Sequence, residues 1–306
     1  MVSFIVIGKN EGWRLQKCFH AIHNVVFQDA ITDWELIYVD SQSNDDSILC
    51  AKQAGARAFL ITGVCNAAVA RNIGAKEAKG DILFFIDGDM EILPGFLPQV
   101  LIDDSMLQYP FISGIFNDVQ FDNEWNYLST TRRHKLQLGD SDAVEITTGG
   151  LFLITRQLWQ TMGGMDTRFQ RSQDYDLGLR LAQYGTPLHR KAIILANHYT
   201  RLYSTRPDYI RNVKYTALLL RKHWHSAYLR VFAKQQYTTI LLLVALFLSA
   251  LSPYCLLLYG VAVIYKDLKQ HLNWKQWYIP CVRDIYLIGA LLFFWPKHCL
   301  IKYEEK

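Results

Sequence analysis

Three acidic side chains, Asp87, Asp89 and Glu91, alternate directly after the apolar run at residues 82–86. An apolar run of this length predicts a strand that is covered on both faces of a sheet. The carboxyl ends of such strands face the crevice in which open α/β sheets bind ligands. Carboxylates this close repel one another unless a cation lies between them, and a hard divalent cation commonly also binds phosphate. The alternative is a solvated Asp-Gly-Asp turn.

The sequence around these acids alternates between predicted strands and helices. Apolar runs predict strands at residues 2–7, 35–39, 58–61 and 82–86, and helical spacing predicts helices at residues 13–26, 47–54 and 69–78. Short connections between them imply parallel strands joined by right-handed crossovers. Polar side chains follow the first two strands, with Asn10 and Glu11 after one and Asp40 and Ser43 after the other. These side chains are therefore expected at the sheet edge that carries Asp87.

After residue 93 the pattern changes. Residues 111–121 alternate like an antiparallel strand, and Gly149-Gly150 predicts a turn into another strand. Residues 124–138 are interpreted as a polar loop or helix, whose basic cluster 132–135 either contacts an acceptor phosphate or is solvated surface. A helix is predicted from Gln173, with acids in its first turn, where the helix dipole favours them.

The apolar residues are concentrated after residue 236, in a chain of 306 residues that is 51% hydrophobic and 20% charged. Residues 237–265 carry no charge, and a straight helix of that length would be about 43 Å long, more than the roughly 30 Å of a bilayer core. Pro253 divides the stretch, so it is either one kinked spanning helix or two short helices in a re-entrant hairpin. A second apolar stretch, 279–295, is interrupted by Arg283 and Asp284.

Residues 201–234 hold eight Lys or Arg and one Asp, interleaved with aromatic residues. Because this segment precedes the long apolar stretch, it fits a cytoplasmic membrane surface better than nucleic acid, and no nucleic-acid partner is expected. The chain starts directly with a predicted strand, so we expect no signal peptide. Six cysteines without metal-ligand spacing are expected to be reduced.

Five motifs in this order resemble those of a family-2 glycosyltransferase of the GT-A fold. They are Asn10-Glu11, Asp40 with Ser41 and Ser43, Ala70-Arg71-Asn72-Ile73-Gly74, Asp87-Gly88-Asp89 as the DxD motif, and Gln173-Asp174-Tyr175-Asp176-Leu177-Gly178-Leu179-Arg180 as the acceptor-side motif. Each motif alone is weak, whereas all five in the expected order and spacing are specific.

The resemblance covers about residues 1–200. It implies an α/β, Rossmann-like GT-A domain with a mixed central sheet, whose nucleotide-binding half is 1–93 and whose acceptor half is 94–200. Residues 201–236 would be a basic interfacial linker and residues 237–306 C-terminal membrane-associated helices. This tail is similar to that of bacterial members that build surface polysaccharides or glycolipids. The implied location is the cytoplasmic face of the inner membrane, where the chain is integral or tightly associated.

The resemblance also assigns the donor side of the site. Asp40 would accept a hydrogen bond from the nucleotide base, with uracil favoured. The residues expected to line the same pocket are Asn10, Glu11, Ser43 and Arg71. Asp87 would reach the ribose or a metal-bound water, and Asp89 would bind the Mn²⁺ or Mg²⁺ that bridges the diphosphate. For Asp40 a helix cap is the alternative, and for Glu11 and Arg71 a surface pair.

On the acceptor side, Asp174 would be the general base, while Asp176 would orient Arg180 or cap the helix. Gly150 would let the backbone approach the sugar or acceptor, and His198 would contact the metal or a phosphate, or make a structural hydrogen bond. The motif usually begins Glu-Asp, whereas here it is Gln173-Asp174, which retains the base. The Gln-x-x-Arg-Trp motif of processive synthases is absent from residues 201–234, which favours transfer of a single sugar.

The implied function is a metal-dependent, inverting glycosyltransferase that acts on a nucleotide-sugar donor and a lipid-linked or membrane-proximal glycan acceptor. One alternative is a sugar nucleotidyltransferase, for which residues 8–12 would be a poor glycine-rich loop. The other is a non-catalytic membrane partner that binds the nucleotide-sugar, against which the intact Asp87, Asp89 and Asp174 argue.

Overall fold

A computed structural model describes residues 1–102, 106–132, 143–145, 147–202, 209–227, 229, 236–269 and 278–306. The chain divides into two compact units. We call residues 1–204 with 298–306 the sheet unit, and residues 205–297 the helical unit.

The first part of the sheet unit alternates strands and helices, close to the predicted positions. Its elements are β1 (Val2–Gly8), α1 (Trp13–Gln28), β2 (Trp34–Asp40), α2 (Ser47–Gln53), β3 (Arg57–Ile61), α3 (Ala67–Glu77), β4 (Ile82–Asp87) and β5 (Met90–Ile92). The second part is richer in strands. It contains α4 (Leu97–Val100), β6 (Leu101–Ile102), β7 (Met106–Leu107), β8 (Phe111–Phe121), β9 (Tyr127–Arg132), β10 (Ala143–Glu145), β11 (Phe152–Thr155), α5 (Arg156–Thr161), α6 (Gln173–Gln183), β12 (Leu188–Arg201) and β13 (Tyr303–Glu305).

The central sheet is mixed, as predicted, and runs in the order β10-β12-β8-β11-β4-β1-β2-β3-β13. Strands β4, β1, β2 and β3 are parallel, whereas β11 pairs antiparallel with β4 and β8. In register, Ile7 lies beside Asp87 and Gly8 beside Asp40. The loops after β1, β2 and β4 therefore leave the sheet at one edge, which is where the site lies.

Strand β4 is buried on both faces, which confirms the prediction made from its apolar run. On one face Phe84 packs with Phe4, at 5.5 Å between ring centroids. On the other face Phe85 packs with Phe152 and Trp159, at 4.9 and 4.6 Å. Asp87 at the end of β4 and the acids after it are thus attached to a strand that runs through the hydrophobic core, while the acids themselves are only partly buried at the sheet edge.

Two segments differ from the sequence interpretation. Within residues 124–138, read as a polar loop or helix, residues Tyr127–Arg132 form the antiparallel strand β9 beside β8. The rest of the basic cluster, residues 133–135, lies outside the described residues. Residues Tyr303–Glu305, assigned from the sequence to the membrane-associated helices, form the edge strand β13 antiparallel to β3. The Tyr303 hydroxyl donates a 2.5 Å hydrogen bond to Glu77 of α3.

The helical unit consists, in its described residues, of four helices: α7 (Tyr209–Lys222), α8 (Tyr237–Leu248), α9 (Cys255–Lys269) and α10 (Tyr278–Phe293). Residues 237–265 therefore form parts of two short helices and not one long helix, which agrees with the predicted break at Pro253. Among the described residues, none of the helices has the length and apolar character needed to cross a membrane. The predicted membrane-spanning helices are not supported.

The charged pair that interrupts the second apolar stretch points into the helical unit. Asp284 is fully buried and accepts hydrogen bonds from the hydroxyls of Thr239 (2.7 Å) and Tyr259 (3.2 Å). Arg283 Nη1 lies 3.3 Å from the same carboxylate. The pair thus ties α8, α9 and α10 together.

Gly74 allows α3 to pack directly against β1. A Cβ at this position would lie less than 3.0 Å from Ile5 Cγ2. We expect Gly74→Ala to cost roughly 1–3 kcal/mol of stability through overpacking, measured by chemical denaturation. The matched control is Gly289→Ala in α10, where a Cβ has open space and the better helix propensity of Ala should stabilise by up to about 1 kcal/mol. Equal effects of both substitutions would contradict the packing argument.

Candidate active site

The loops after β1 and β2 are joined by hydrogen bonds. The Asn10 backbone N–H donates to Ser43 Oγ (2.9 Å), and the Asn44 backbone N–H donates to Asn10 Oδ1 (2.7 Å). Asp40 is fully buried and accepts from the Tyr38 hydroxyl (2.9 Å) and the Ser43 backbone N–H (2.8 Å). Helix α2 starts only at Ser47, so Asp40 is not its cap. Asp40 holds the loop in the shape that presents Asn10 and Ser43 at the sheet edge.

Arg71 of α3 is buried and holds Asp87 at the end of β4. Its Nη2 donates to Asp87 Oδ1 at 2.6 Å and lies 3.5 Å from the Gly150 carbonyl oxygen. Arg71 is 2% exposed, and its Nε and Nη1 are buried without a hydrogen-bond partner among the described residues. A buried guanidinium with two unused donors is a ready site for an anion with several oxygens.

Gly150 closes this part of the site, because a Cβ there would lie less than 3.0 Å from Asp87 Oδ2 and 3.2 Å from Arg71 Nη2. We expect Gly150→Ala to displace the ion pair at a cost of about 1–3 kcal/mol, which raises the donor KM by about ten- to a hundredfold. Gly149→Ala is the control, since that position has φ +68° but nothing within 4 Å. The control should lower the unfolding temperature while leaving the donor KM unchanged; a raised donor KM in both variants would refute the contact argument.

Asp89 and His198 face one another across the end of the sheet. His198 Nε2 lies 3.3 Å from Asp89 Oδ2, and His198 Nδ1 lies 2.6 Å from Asp118 Oδ1. Burial acts to lower the pKa of His198, but the hydrogen bonds to Asp118 and Asp89 outweigh burial and raise this pKa to about 9. The other carboxylate oxygen, Asp89 Oδ1, is buried without a hydrogen-bond partner in the described part of the chain.

Glu11 and Arg14 complete the charges around Asp89. Arg14 Nη2 lies 2.5 Å from Glu11 Oε2, and Arg14 Nη1 lies 3.7 Å from Asp89 Oδ2. Glu11 thus pairs with Arg14 and not, as the surface-pair alternative had it, with Arg71. Burial, helped by the charge of Asp89 and opposed by Arg14, raises the pKa of Glu11 to about 7. The Arg14 guanidinium also lies 4.7 Å from the ring centroid of Trp125.

The donor atoms at Asp89 suit a divalent cation. The cluster offers an unused carboxylate oxygen and an imidazole nitrogen, and Asp118 orients the imidazole, as carboxylates do for metal-binding histidines. Across the described ranges, no group of three or more His, Cys, Asp or Glu side chains is arranged to hold a metal. A cation here would need further oxygen ligands from a bound phosphate and would displace the proton of His198.

Asp118 gives this arrangement a direct test. We expect Asp118→Asn to weaken Mn²⁺ binding by about 10–100-fold, because the imidazole loses the carboxylate that orients it. Isothermal calorimetry with Mn²⁺ in the presence of saturating UDP, which supplies the phosphate oxygens, measures this effect without turnover. Asp122→Asn is the control, since Asp122 closes the β8–β9 turn by accepting from Asn126. Equal Mn²⁺ affinity in the wild type and Asp118→Asn would refute the orienting role.

Asp174 lies at the start of α6, beside the turn that carries Gly150. The Thr147 hydroxyl donates to Asp174 Oδ2 at 2.9 Å, and the Thr148 backbone N–H donates to the Asp174 carbonyl at 3.3 Å. Residues 147–150 therefore connect Asp174 with Asp87, so the two carboxylates flank one turn. Asp176 is fully buried and pairs with Arg180 at 3.0 Å, as predicted, and has no access to a substrate.

The structure thus brings the predicted residues to one edge of the sheet in three groups: the loop pair of Asn10 and Asp40, the Arg71–Asp87–Gly150 group, and the Asp89–His198 pair. Sequence reasoning missed Arg14, Asp118 and Trp125. Asp118 lies in the alternating stretch 111–121, but the signal that pairs it with His198 is the register of β8 with β12, which a single sequence does not contain.

Two solved structures have a similar fold. The crystal structure of GalNAc-T7 with UDP, GalNAc and Mn²⁺ matches with a TM-score of 0.57 and 17% identity, over 74% of this chain and 49% of that one. The crystal structure of S. aureus TarS 1-349 in complex with UDP-GlcNAc matches with a TM-score of 0.55 and 12% identity, over 95% and 89%. At these identities the likeness shows a GT-A-like fold alone.

The family is shown by the sequence. The model of Glycosyl transferase family 2 matches residues 3–158, about half of the chain, and the chain belongs to this family. An uncharacterized glycosyltransferase of Haemophilus influenzae is 27% identical over 194 residues, which cover 60% of this chain. The match spans 62% of the length of that relative.

Proposed function

We propose that the chain transfers one sugar from a nucleotide-sugar, with a UDP-sugar favoured, to a lipid-linked or membrane-proximal glycan acceptor, with inversion at the anomeric carbon. The observation that carries the proposal is the turn at residues 147–150. On one side the turn contacts Asp174, and on the other it packs against Asp87, which Arg71 holds. A carboxylate that can accept a proton thus lies beside donors that can bind a diphosphate.

Donor binding would use two Arg71 nitrogens that have no hydrogen-bond partner among the described residues, together with the loops after β1 and β2. Arg71 Nε and Nη1 would donate to diphosphate oxygens, and the joined loops at Asn10 and Ser43 would frame the nucleoside. Asp40 keeps these loops in place, and because it is fully buried, its carboxylate would accept from the base only if donor binding moves the loop that covers it. UDP is a ligand of GalNAc-T7 and UDP-GlcNAc of TarS, which supports a uridine nucleotide here.

Asp89 and His198 would hold the divalent cation. Mn²⁺ is favoured over Mg²⁺ because one of the two ligands is a nitrogen, and Mg²⁺ binds chiefly through oxygen. The cation, when bound, neutralises the charge that builds on the departing diphosphate. GalNAc-T7 was solved with Mn²⁺, which agrees with this choice. Asp118 would orient His198 and Arg14 would balance the remaining charge of Glu11.

Asp174 would act as the general base. The acceptor hydroxyl gives its proton to the Asp174 carboxylate while the hydroxyl oxygen bonds to the anomeric carbon and the bond from that carbon to the diphosphate breaks. The nucleoside diphosphate leaves from the opposite face. A single displacement of this kind inverts the anomeric centre and needs no nucleophilic carboxylate.

A membrane-proximal acceptor is supported by the surface of the helical unit. Phe247, Leu251 and Phe293 are 81%, 84% and 81% exposed, and many other large apolar side chains of these helices are exposed as well. Together with the basic composition of segment 201–234, these side chains fit the surface of an anionic bilayer on the cytoplasmic face, and such binding needs no spanning helix. Flotation with phosphatidylglycerol vesicles tests this: Phe247→Ser with Leu251→Ser should lose binding, and unchanged flotation would refute it.

The donor is tested with purified protein, Mn²⁺ and a panel of nucleotide-sugars, with released nucleoside diphosphate as the readout. Background hydrolysis identifies the donor without the acceptor, and we expect one UDP-sugar to dominate. Pyrophosphate release from a nucleoside triphosphate would instead favour a sugar nucleotidyltransferase. If the protein bound the donor but released no nucleoside diphosphate, even when membranes and acceptor glycolipids were added, the result would favour a non-catalytic partner.

A further inference from the structure

The helical unit contains a cavity of about 620 Å³ that the proposed transfer reaction does not use. Its walls are mainly apolar and include Leu220 of α7, Leu243 of α8, and Leu287 and Leu291 of α10. Its volume lies in the range of about 300–1,000 Å³ that is typical of small-molecule sites. The cavity is therefore large enough to hold a ligand and too apolar to bind a sugar nucleotide.

Arg221 and Gln236 line this cavity, and each has one buried polar atom without a hydrogen-bond partner among the described residues: Nε of Arg221 and Oε1 of Gln236. Gln236 is 92% buried, since only 8% of it is exposed. Buried polar atoms are nearly always paired, so an unpaired donor and an unpaired acceptor at one cavity indicate a missing polar group.

Arg221 is held in place by its other nitrogens. Nη1 donates to the Leu291 carbonyl at 2.9 Å and Nη2 donates to the Phe294 carbonyl. The guanidinium also lies 3.8 Å from the ring centroid of Trp295. These contacts fix the cation beside the apolar cavity, and no carboxylate of the described residues pairs with it. The Arg221 guanidinium in this position would attract the anionic head group of a ligand whose hydrocarbon chain lies in the apolar cavity.

We propose that this cavity binds one hydrocarbon chain of a phosphorylated lipid, with the phosphate at Arg221. A phosphate oxygen accepts from Arg221 Nε, and the P–O–H group of a singly protonated phosphate, or a neighbouring lipid hydroxyl, donates to Gln236 Oε1. A carboxylate head would satisfy the first atom and leave the second unpaired, which is why the phosphate is favoured. The site lies between the helices and is distinct from the outward-facing Phe247 and Leu251, and it does not depend on the transfer reaction.

The test uses the full chain and dodecyl phosphate below its micellar concentration, with binding measured by calorimetry. Leu243→Trp should fill the cavity and weaken binding by about tenfold or more, because several methylene groups lose their burial. Leu241→Trp is the matched control: Leu241 lies on the same helix and is similarly exposed, at 40% against 44%, but does not line the cavity. The control should bind as the wild type does.

A second measurement does not depend on the folding of a variant. Trp224 lines the cavity, so dodecyl phosphate with a brominated chain should quench its fluorescence, and Trp224→Phe should reduce the total quenching, while Trp295 beside Arg221 remains quenched. Absence of saturable binding, equal losses in both Leu→Trp variants, or quenching that is unchanged by Trp224→Phe would overturn the site. Equal affinity for dodecanol or laurate would overturn the phosphate assignment.

Discussion

Asp89→Asn is expected to lower kcat/KM by roughly 10³-fold, since cation stabilisation of a leaving diphosphate contributes several kcal/mol. Asn keeps the size of the side chain but loses the charge, and the buried oxygen that has no partner in the described residues is no longer an anionic ligand. The neighbouring carboxylates cannot replace it, because Asp87 pairs with Arg71 and Glu11 with Arg14. Release of nucleoside diphosphate, measured across a range of Mn²⁺ concentrations, gives the effect.

The same substitution at Asp33 is the control. Asp33 is 72% exposed in its side chain and pairs only with the N-terminal amine at 3.1 Å in the described contacts. Asp33→Asn should retain wild-type turnover and Mn²⁺ dependence. Full activity of Asp89→Asn, or of the wild type after extensive chelation with EDTA, would remove the cation from the proposal and leave Arg71 as the main charge that faces the diphosphate.

The donor half of the site could be predicted from the sequence because parallel strands end at one edge. Once β1, β2 and β4 are recognised, the positions of Asn10, Asp40 and Asp87 follow from the register, and the structure places Gly8 beside Asp40 and Ile7 beside Asp87. The buried strand β4 and the helix that begins at Gln173 could also be predicted from the sequence, because an apolar run and the acids of a first helical turn are local patterns.

Contacts between distant strands could not be predicted. His198 meets Asp118 only because β12 runs parallel to β8 in a particular register, and β12 shifts register twice, between Arg190 and Ile194 and between Ile194 and Ala196. The second of these shifts is of one residue, and a one-residue shift moves the side chains that follow to the other face of the sheet. Alternation alone therefore cannot say which residues face the site. The packing of Trp125 on Arg14 could not be predicted either, because it also joins residues that are distant in the sequence.

The helical unit shows that apolar composition alone does not predict membrane-spanning helices. Apolar composition predicted membrane-associated helices within residues 237–306, with one kinked spanning helix as one of two alternatives for residues 237–265, but the described helices contain 12, 15 and 16 residues. A helix of 16 residues is about 24 Å long, short of the roughly 30 Å core of a bilayer. Pro253 indicated in the sequence where the helix is interrupted. Asp284 points inward because it accepts hydrogen bonds from Thr239 and Tyr259, and the spacing of apolar residues does not identify these partners.

Asp174→Asn is expected to lower kcat by about 10²–10⁴-fold, the usual contribution of a general base, while the affinity for the donor changes little. Asn has nearly the same shape and can still accept from the Thr147 hydroxyl, so the turn at residues 147–150 should keep its position. The variant cannot take the proton of the acceptor hydroxyl. Transfer to an added acceptor, together with donor affinity by calorimetry, separates chemistry from binding.

A matched substitution at the neighbouring Asp176 shows whether the loss of activity in Asp174→Asn comes from lost chemistry or from lost stability. Asp176 is fully buried and pairs with Arg180, which also donates to the carbonyls of Met162 and Gly164. Asp176→Asn should therefore cost about 3–5 kcal/mol of stability, as broken buried ion pairs do, and reduce activity through unfolding. Asp174→Asn should instead unfold at nearly the wild-type temperature. If Asp174→Asn retained full transfer activity, or lost stability as Asp176→Asn does, Asp174 would be a structural residue and another group would have to take the proton.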